Sequence, residues 1–177
     1  GEAVLGEEEA NLRLEKTIEM MRREEVNYVS VKISSICSQI ITVDHQGTVE
    51  RVVEKLRILY MTSIETKTFV NLDMEEFRDL RITVDAFKIL LLEKPFQKLY
   101  AGIVLQAYLP EAHGVFNDLL LWAKERHLKH GGKIKIRLVK GANLEMEKVE
   151  SELEGWSSAT YPRKSLVDAS YLRLIDL

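Results

Sequence analysis

KIKIRLVKGANLEME, residues 133–147, is the stretch of sequence that decides the fold. Apolar and basic side chains alternate along its first half, and at Gly141 the pattern changes to helical spacing, which predicts a strand, a turn and a helix. Small residues at such a turn let backbone N–H groups approach a ligand closely. Gly141 and Ala142, flanked by Arg137 and Lys140, therefore suit an anion or an electron-rich ring, and we expect the functional site here.

The composition restricts the class of protein. The chain has 177 residues, of which 46% are hydrophobic and 30% charged, so residues 1–177 suffice for one domain and leave no room for a second. A net charge of −3 argues against general nucleic-acid binding, which needs a basic surface. The single cysteine is typical of a reducing compartment, and no apolar run approaches the ~20 residues of a membrane-spanning helix. We expect a cytoplasmic protein.

Four segments have the pattern of strands, and helical patterns separate them. The strands are predicted at residues 28–36, 69–73 and 103–108 and in the first half of residues 133–147. A helix precedes the first strand, and one further helix follows the last βα unit. Gly131 and Gly132 are expected to end the helix before the fourth strand. Alternating strands and helices predict an α/β fold with a parallel sheet and right-handed crossovers.

Polar side chains occur near the carboxyl end of each strand. They are Lys32, Asp73, Gln106 and Arg137, at separations of 41, 33 and 31 residues that match one βα unit each. A parallel sheet covered by helices on both faces has few polar positions. In a barrel, by contrast, inward side chains near the carboxyl rim line the ligand site. The alternative is a three-layer open sheet whose polar positions are solvated.

We therefore predict a (β/α)8 TIM-type barrel that is present only in part. A complete barrel needs eight βα units and typically ~250 residues. This sequence supplies about four to five units. No histidine has a carboxylate or cysteine at the spacing of metal ligands, so no metal site is predicted.

Short motifs at these strand ends occur together in one known family. They are LGEEEA at 5–10, SVKIS at 30–34, NLDMEE at 71–76, QAY at 106–108, RLVKGA at 137–142, and RK at 163–164 followed by DASY at 168–171. In this order they resemble the proline dehydrogenase barrel of the proline utilization A flavoenzymes. The resemblance implies FAD-dependent oxidation of L-proline to 1-pyrroline-5-carboxylate, with hydride transfer to flavin N5.

The resemblance also implies roles for the polar strand ends. Arg137 would lie by the flavin N5 edge, where a fixed positive charge stabilises the reduced anionic flavin. Gln106 would hydrogen-bond the flavin ring, because an amide both donates and accepts. Lys32 would help hold the proline carboxylate, and Asp73 would orient the polar network on the substrate side. Without the resemblance, Lys32 is a solvated lysine at a strand end and Arg137 a structural partner of a carboxylate.

Further residues are implied for the rest of the cofactor and for the entrance. Glu2 matches the family's substrate gate. The residues implied to lie along the ribityl and pyrophosphate chain or near the adenine are Lys140, Gly141, Ala142, Arg163 and Lys164.

The chain also departs from the family pattern. The final helix with paired arginines for the substrate carboxylate has no counterpart, and the later strands that complete the FAD site are absent. Asn143 and Leu144 replace an aromatic pair, and Pro162 replaces a threonine. We expect weak or absent turnover from the 177 residues alone.

The resemblance implies partners beyond this sequence. The chain would continue into an NAD-dependent aldehyde dehydrogenase that completes the oxidation to glutamate. The reduced flavin would pass electrons to a membrane quinone, which implies transient peripheral contact with the inner membrane.

Two other hypotheses compete with this one. A Schiff-base lyase of the barrel type would use Lys32 or Lys140 as its amine, with a pKa lowered by desolvation. Alternatively, the chain is an inactive partial barrel whose unpaired strand edges favour a homo-oligomer or aggregation.

Overall fold

A computed structural model of the chain describes residues 4–74, 76–142 and 144–177. Its strands are β1 (Tyr28–Lys32), β2 (Phe69–Asp73), β3 (Ala101–Gln106) and β4 (Ile134–Val139). Its α-helices are α1 (Glu7–Met21), α2 (Ile33–Ile36), α3 (His45–Thr66), α4 (Leu80–Leu92), α5 (Ala112–His130), α6 (Leu144–Glu154) and α7 (Lys164–Ile175). Short 3-10 turns lie at Thr42–Asp44, Phe77–Asp79 and Lys94–Phe96. The predicted gate residue Glu2 lies outside the described ranges, as does Asn143.

The strands form one parallel sheet in the order β1-β2-β3-β4. An open doubly wound sheet reverses its strand order at a switch point, whereas a barrel adds each strand beside the previous one. The sequential order therefore agrees with the predicted partial barrel and not with the open three-layer sheet.

The two faces of the sheet differ in polarity. Val29, Val31, Val70, Leu72 and Ile103 are buried in the hydrophobic core, which they share with apolar residues of α3, α4 and α5. The other parity carries the polar side chains that the sequence placed at the strand ends. Alternation along each strand thus separates a face that packs on helices from a face that would look into the barrel.

The first strand is shorter than predicted. The sequence favoured a strand through Ile36, but β1 ends at Lys32 and α2 follows as one helical turn. In this turn the Ser35 hydroxyl donates to the Lys32 carbonyl at 2.7 Å, and the Cys37 amide donates to the Ile33 carbonyl at 2.9 Å. Ile33 and Ile36 are both buried, and a spacing of three residues buries both on a helical turn but not on a strand.

Buried carboxyls lie between the segment after β2 and helix α6. Glu147 accepts a hydrogen bond from the Phe77 amide at 2.8 Å, and burial raises the pKa of its carboxyl. Burial, reinforced by the negative charge of Glu76, raises the pKa of Asp79 to about 6. Asp79 is 6% exposed, and its Oδ1 has no hydrogen-bond partner among the described residues. The ionised form of Asp79 is therefore destabilising in the fold.

Asp79→Asn is expected to stabilise the fold at neutral pH. Because the folded-state pKa of Asp79 lies above its ordinary value of 3.8, stability falls as the pH rises from about 4 to 6. Removing the charge should raise the free energy of unfolding by at most about 3 kcal/mol at pH 7.5, and the gain should vanish below pH 4. Urea unfolding at both pH values measures this. Asp118→Asn, at an exposed position, is the control, and a gain independent of pH would contradict the prediction.

Candidate active site

The strand register arranges the inward side chains in layers. Lys32 lies opposite Asp73 across β1 and β2, and Val104 lies opposite Arg137 across β3 and β4. Continuing the β2–β3 register places all four in one layer. Gln106 lies one layer closer to the carboxyl rim, and Val104 is the residue of β3 in the layer of Asp73 and Arg137. This short apolar side chain separates the polar groups of β2 from those of β4.

Asp73 of β2 and Arg137 of β4 form an ion pair that spans the position of Val104. Arg137 Nη2 donates to Asp73 Oδ1 at 2.7 Å, and the two side chains are 43% and 20% exposed. The same oxygen accepts hydrogen bonds from Asn71 Nδ2 at 2.6 Å and from Ser30 Oγ at 3.3 Å. The sequence analysis missed Asn71 and Ser30, although each lies two residues before a predicted site residue and on the same face of its strand. The carboxylate and the guanidinium are thus held in a fixed relation.

A pocket of about 310 Å³ opens beside this pair at the carboxyl ends of the strands. Its lining includes six predicted site residues, namely Asp73, Gln106, Arg137, Lys140, Gly141 and Ala142. Gln106 is buried, and its Nε2 donates to the Met74 carbonyl at 2.5 Å. The structure therefore brings most of the predicted site together.

The turn after β4 lines the pocket with two small residues, Gly141 and Ala142. Gly141 has φ of +121°, a conformation that L side chains rarely adopt. A Cβ at this position would lie 2.2 Å from the buried ring of Tyr108. The Tyr108 side chain is 1% exposed and cannot move aside without disturbing the core, and its backbone is tied to the turn because the Tyr108 amide donates to the Lys140 carbonyl at 2.9 Å. Only glycine can therefore form this surface.

Gly141→Ala is expected to damage both the fold and the pocket. The backbone conformation alone costs a non-glycine residue about 1–3 kcal/mol, and the clash with Tyr108 adds to this. The matched control is Gly114→Ala in α5, where a Cβ meets nothing within 4 Å and alanine favours the helix by about 0.5–1 kcal/mol. Chemical unfolding of both variants measures the difference. Equal stabilities would contradict the role assigned to Gly141.

Lys140 lines the pocket and extends its amine towards helix α7. Its Nζ contacts Asp168 Oδ1 at 2.5 Å and lies 5.7 Å from the centre of the Tyr171 ring. Lys164 contacts the other oxygen of Asp168 at 3.0 Å. The hydrogen bonds from Lys140 and Lys164 lower the pKa of Asp168. Lys140 and Lys164 thus form a second basic group around Asp168, separate from Arg137 and Asp73, and Arg163 is the residue before α7.

Within residues 4–74, 76–142 and 144–177, no group of three or more His, Cys, Asp or Glu side chains could hold a metal ion. None of the helices in these ranges combines the length and apolar character that crossing a membrane requires.

The fold and the site define a class of protein. Parallel βα units added in sequence, with polar side chains at the carboxyl rim, form part of a βα barrel of the enzyme type. The model of the proline dehydrogenase family matches residues 1–177, and the chain belongs to this family. The resemblance drawn from the motifs is confirmed.

Solved structures with the same fold come from proline utilization A proteins. The chain is 50% identical to PutA from Corynebacterium freiburgense with a TM-score of 0.95, covering 99% of this chain and 18% of that one. It is 30% identical to PutA from Bdellovibrio bacteriovorus inactivated by N-propargylglycine, with a TM-score of 0.88, covering 98% and 20%. The predicted fold class is confirmed.

Curated relatives include both a proline dehydrogenase and a bifunctional protein. Proline dehydrogenase 2 of Bacillus subtilis strain 168 is 31% identical over 181 residues, which cover 99% of this chain and 49% of the relative. Bifunctional protein PutA of Klebsiella aerogenes is 28% identical over 147 residues, which cover 81% of this chain and 11% of the relative. The chain therefore spans about half of one relative's length and about a tenth of the other's.

Proposed function

We propose that the protein containing this chain is an FAD-dependent proline dehydrogenase that oxidises L-proline to 1-pyrroline-5-carboxylate. The observation that carries the proposal is the Arg137–Asp73 pair in a pocket completed by the Gly141 turn. Membership of the proline dehydrogenase family supports the choice of substrate.

The residues of the pocket suit a flavin. Gly141 and Ala142 line the pocket without bulky side chains, so a flavin could approach the backbone of this turn closely. Gln106, Arg137, Lys140, Gly141 and Ala142 would hold it along the pocket. Arg163, the residue before α7, and Lys164, the first residue of α7, would bind the adenine half with its phosphates. When bound, FAD supplies the acceptor, flavin N5, for the hydride from the proline ring carbon next to nitrogen.

In the proposed reaction, charged side chains of this protein bind the substrate and stabilise the charge that develops. Arg137 places a guanidinium, held by Asp73, where negative charge develops during the reaction. Such a group stabilises charge without reorganising at the moment of reaction. Lys32, opposite Asp73 in the register, supplies a cation for the substrate carboxylate. Asp73 sets the direction of the polar groups on the substrate side.

The visible absorbance spectrum of the full-length protein tests this function. We expect flavin absorbance that bleaches when L-proline is added without oxygen. A protein that neither contains flavin nor binds added FAD would overturn the assignment. The 177-residue chain, measured beside it, tests the expectation of weak or absent turnover.

The roles beyond this site are further proposals. The protein would continue into an NAD-dependent aldehyde dehydrogenase and pass electrons to a membrane quinone at the inner membrane. The likeness to PutA chains, of which this chain covers about a fifth, supports the longer protein. Glu2 remains the predicted gate.

The Schiff-base lyase hypothesis receives less support from the site. Lys140 is 51% exposed and its Nζ is held by Asp168 at 2.5 Å, whereas an amine nucleophile of this type lies free in a desolvated pocket. Borohydride trapping with a carbonyl substrate should therefore leave the protein unmodified.

A further inference from the structure

We propose that Asn71 is a positioning residue, which holds the carboxylate of Asp73 in the direction needed for the reaction. This inference rests on the proposed proline dehydrogenase activity. Asn71 lies on β2 two residues before Asp73, on the same face, and is completely buried. Its Nδ2 donates to Asp73 Oδ1 at 2.6 Å, closer than the donors from Arg137 and Ser30.

The chemistry of Asp73 fixes the orientation of the Asn71 amide. A carboxylate only accepts hydrogen bonds, so the NH2 group and not the carbonyl must face Asp73. The amide oxygen then points the other way, and it is buried without a hydrogen-bond partner in the described part of the chain. The flipped amide would place its carbonyl oxygen against Asp73 Oδ1, and both of these atoms are acceptors.

Gly102 on β3 provides the space for this amide. It lies opposite Asn71 in the register, and a Cβ there would lie 2.5 Å from Asn71 Oδ1 and 2.9 Å from the Phe69 ring. A buried, unpaired oxygen costs stability, and an apolar side chain of similar volume would fill the site without this cost. Packing therefore does not account for an amide at this position, whereas its bond to Asp73 does.

The three hydrogen bonds to Asp73 all reach the same carboxylate oxygen. Arg137, Asn71 and Ser30 all donate to Oδ1, and none of these three bonds involves Oδ2. Three donors from three different strands fix the carboxylate plane before substrate arrives. Loss of the shortest of these bonds should leave Asp73 and Arg137 present but misdirected.

A double-mutant cycle in the full-length protein tests this positioning. Asn71→Leu should slow anaerobic flavin reduction by L-proline about 10- to 100-fold, as expected for a hydrogen bond to a charged group. If Asn71 acts through Asp73, then Asn71→Leu combined with Asp73→Ala should be no slower than Asp73→Ala alone. The change in kcat relative to the change in KM should also be the same for Asn71→Leu as for Asp73→Ala.

The controls separate positioning from folding and from the function itself. Thr83→Val removes a different buried polar group, a hydroxyl on α4 that has no hydrogen-bond partner within the described ranges, and should retain the wild-type rate. If Asn71→Leu does not fold, Asn71→Ala removes the amide without adding bulk and is used in the same cycle. Multiplicative effects, or a wild-type rate without the amide, would overturn the inference while proline oxidation stands. Failure of proline to reduce the unmodified protein would overturn the proposed function instead.

Discussion

Arg126→Met is expected to lower the free energy of unfolding by about 3–5 kcal/mol, because several buried carbonyls each lose a donor at a cost of about 1–3 kcal/mol. Arg126 is 2% exposed, and its guanidinium lies at the opposite end of the sheet from the candidate site. It donates to the carbonyls of Leu91 at 3.1 Å, Phe96 and Leu99 at 2.8 Å, and Lys133 at 3.3 Å. Methionine would leave these acceptors buried and unpaired.

The surroundings of Arg126 compensate its charge with dipoles. The Leu91 carbonyl belongs to the last turn of α4, the negative end of that helix. Burial lowers the pKa of the guanidinium, but the side chain stays charged because an arginine pKa lies far above neutrality. Gly132 is also required here, because a Cβ would lie 2.5 Å from Arg126 Cζ.

Urea unfolding of the full-length protein measures the effect. Lys124→Met, an exposed cation on the same helix, should change stability by no more than about 0.5 kcal/mol. Arg126→Lys should recover only part of the loss, because an ammonium cannot reproduce the planar fork of donors. If Arg126→Met were as stable as Lys124→Met, the four hydrogen bonds to carbonyls would not contribute to the stability of the fold.

Arg137→Met is expected to slow flavin reduction by L-proline about 100- to 1,000-fold, the range for loss of one preorganised group that stabilises developing charge. The guanidinium is fixed by Asp73 on a strand two places away, so its position does not depend on bound substrate. Stability should change little, because the side chain is 43% exposed and exposed ion pairs contribute about 0–1 kcal/mol.

Stopped-flow reduction without oxygen measures the rate. Lys133→Met, at the other end of β4, is the matched control and should reduce at the wild-type rate. Arg137→Lys should recover part of the activity, since it retains charge but not the geometry of the guanidinium. A wild-type rate in Arg137→Met would remove Arg137 from the mechanism and leave it as a structural partner of Asp73.

The sequence by itself determined the architecture and much of the site. Alternation along Ile134, Ile136 and Leu138 identified a strand with one apolar face, which is partly buried against the core, and the βα spacing predicted a parallel sheet. It also gave the strand-end residues Asp73 and Arg137, because the carboxyl ends of parallel strands meet at one edge. Periodicity is a local property of the chain, so it can be read without knowing how distant segments pack.

Only the tertiary structure decided which of these side chains touch. It placed Gln106 one layer closer to the carboxyl rim than Arg137, ended β1 at Lys32 and turned Lys140 towards Asp168. It also showed that Asn71 holds Asp73 from within the sheet. These contacts depend on strand register and on space left by glycines on neighbouring strands. Residues far apart in sequence set both, so no local pattern predicts them.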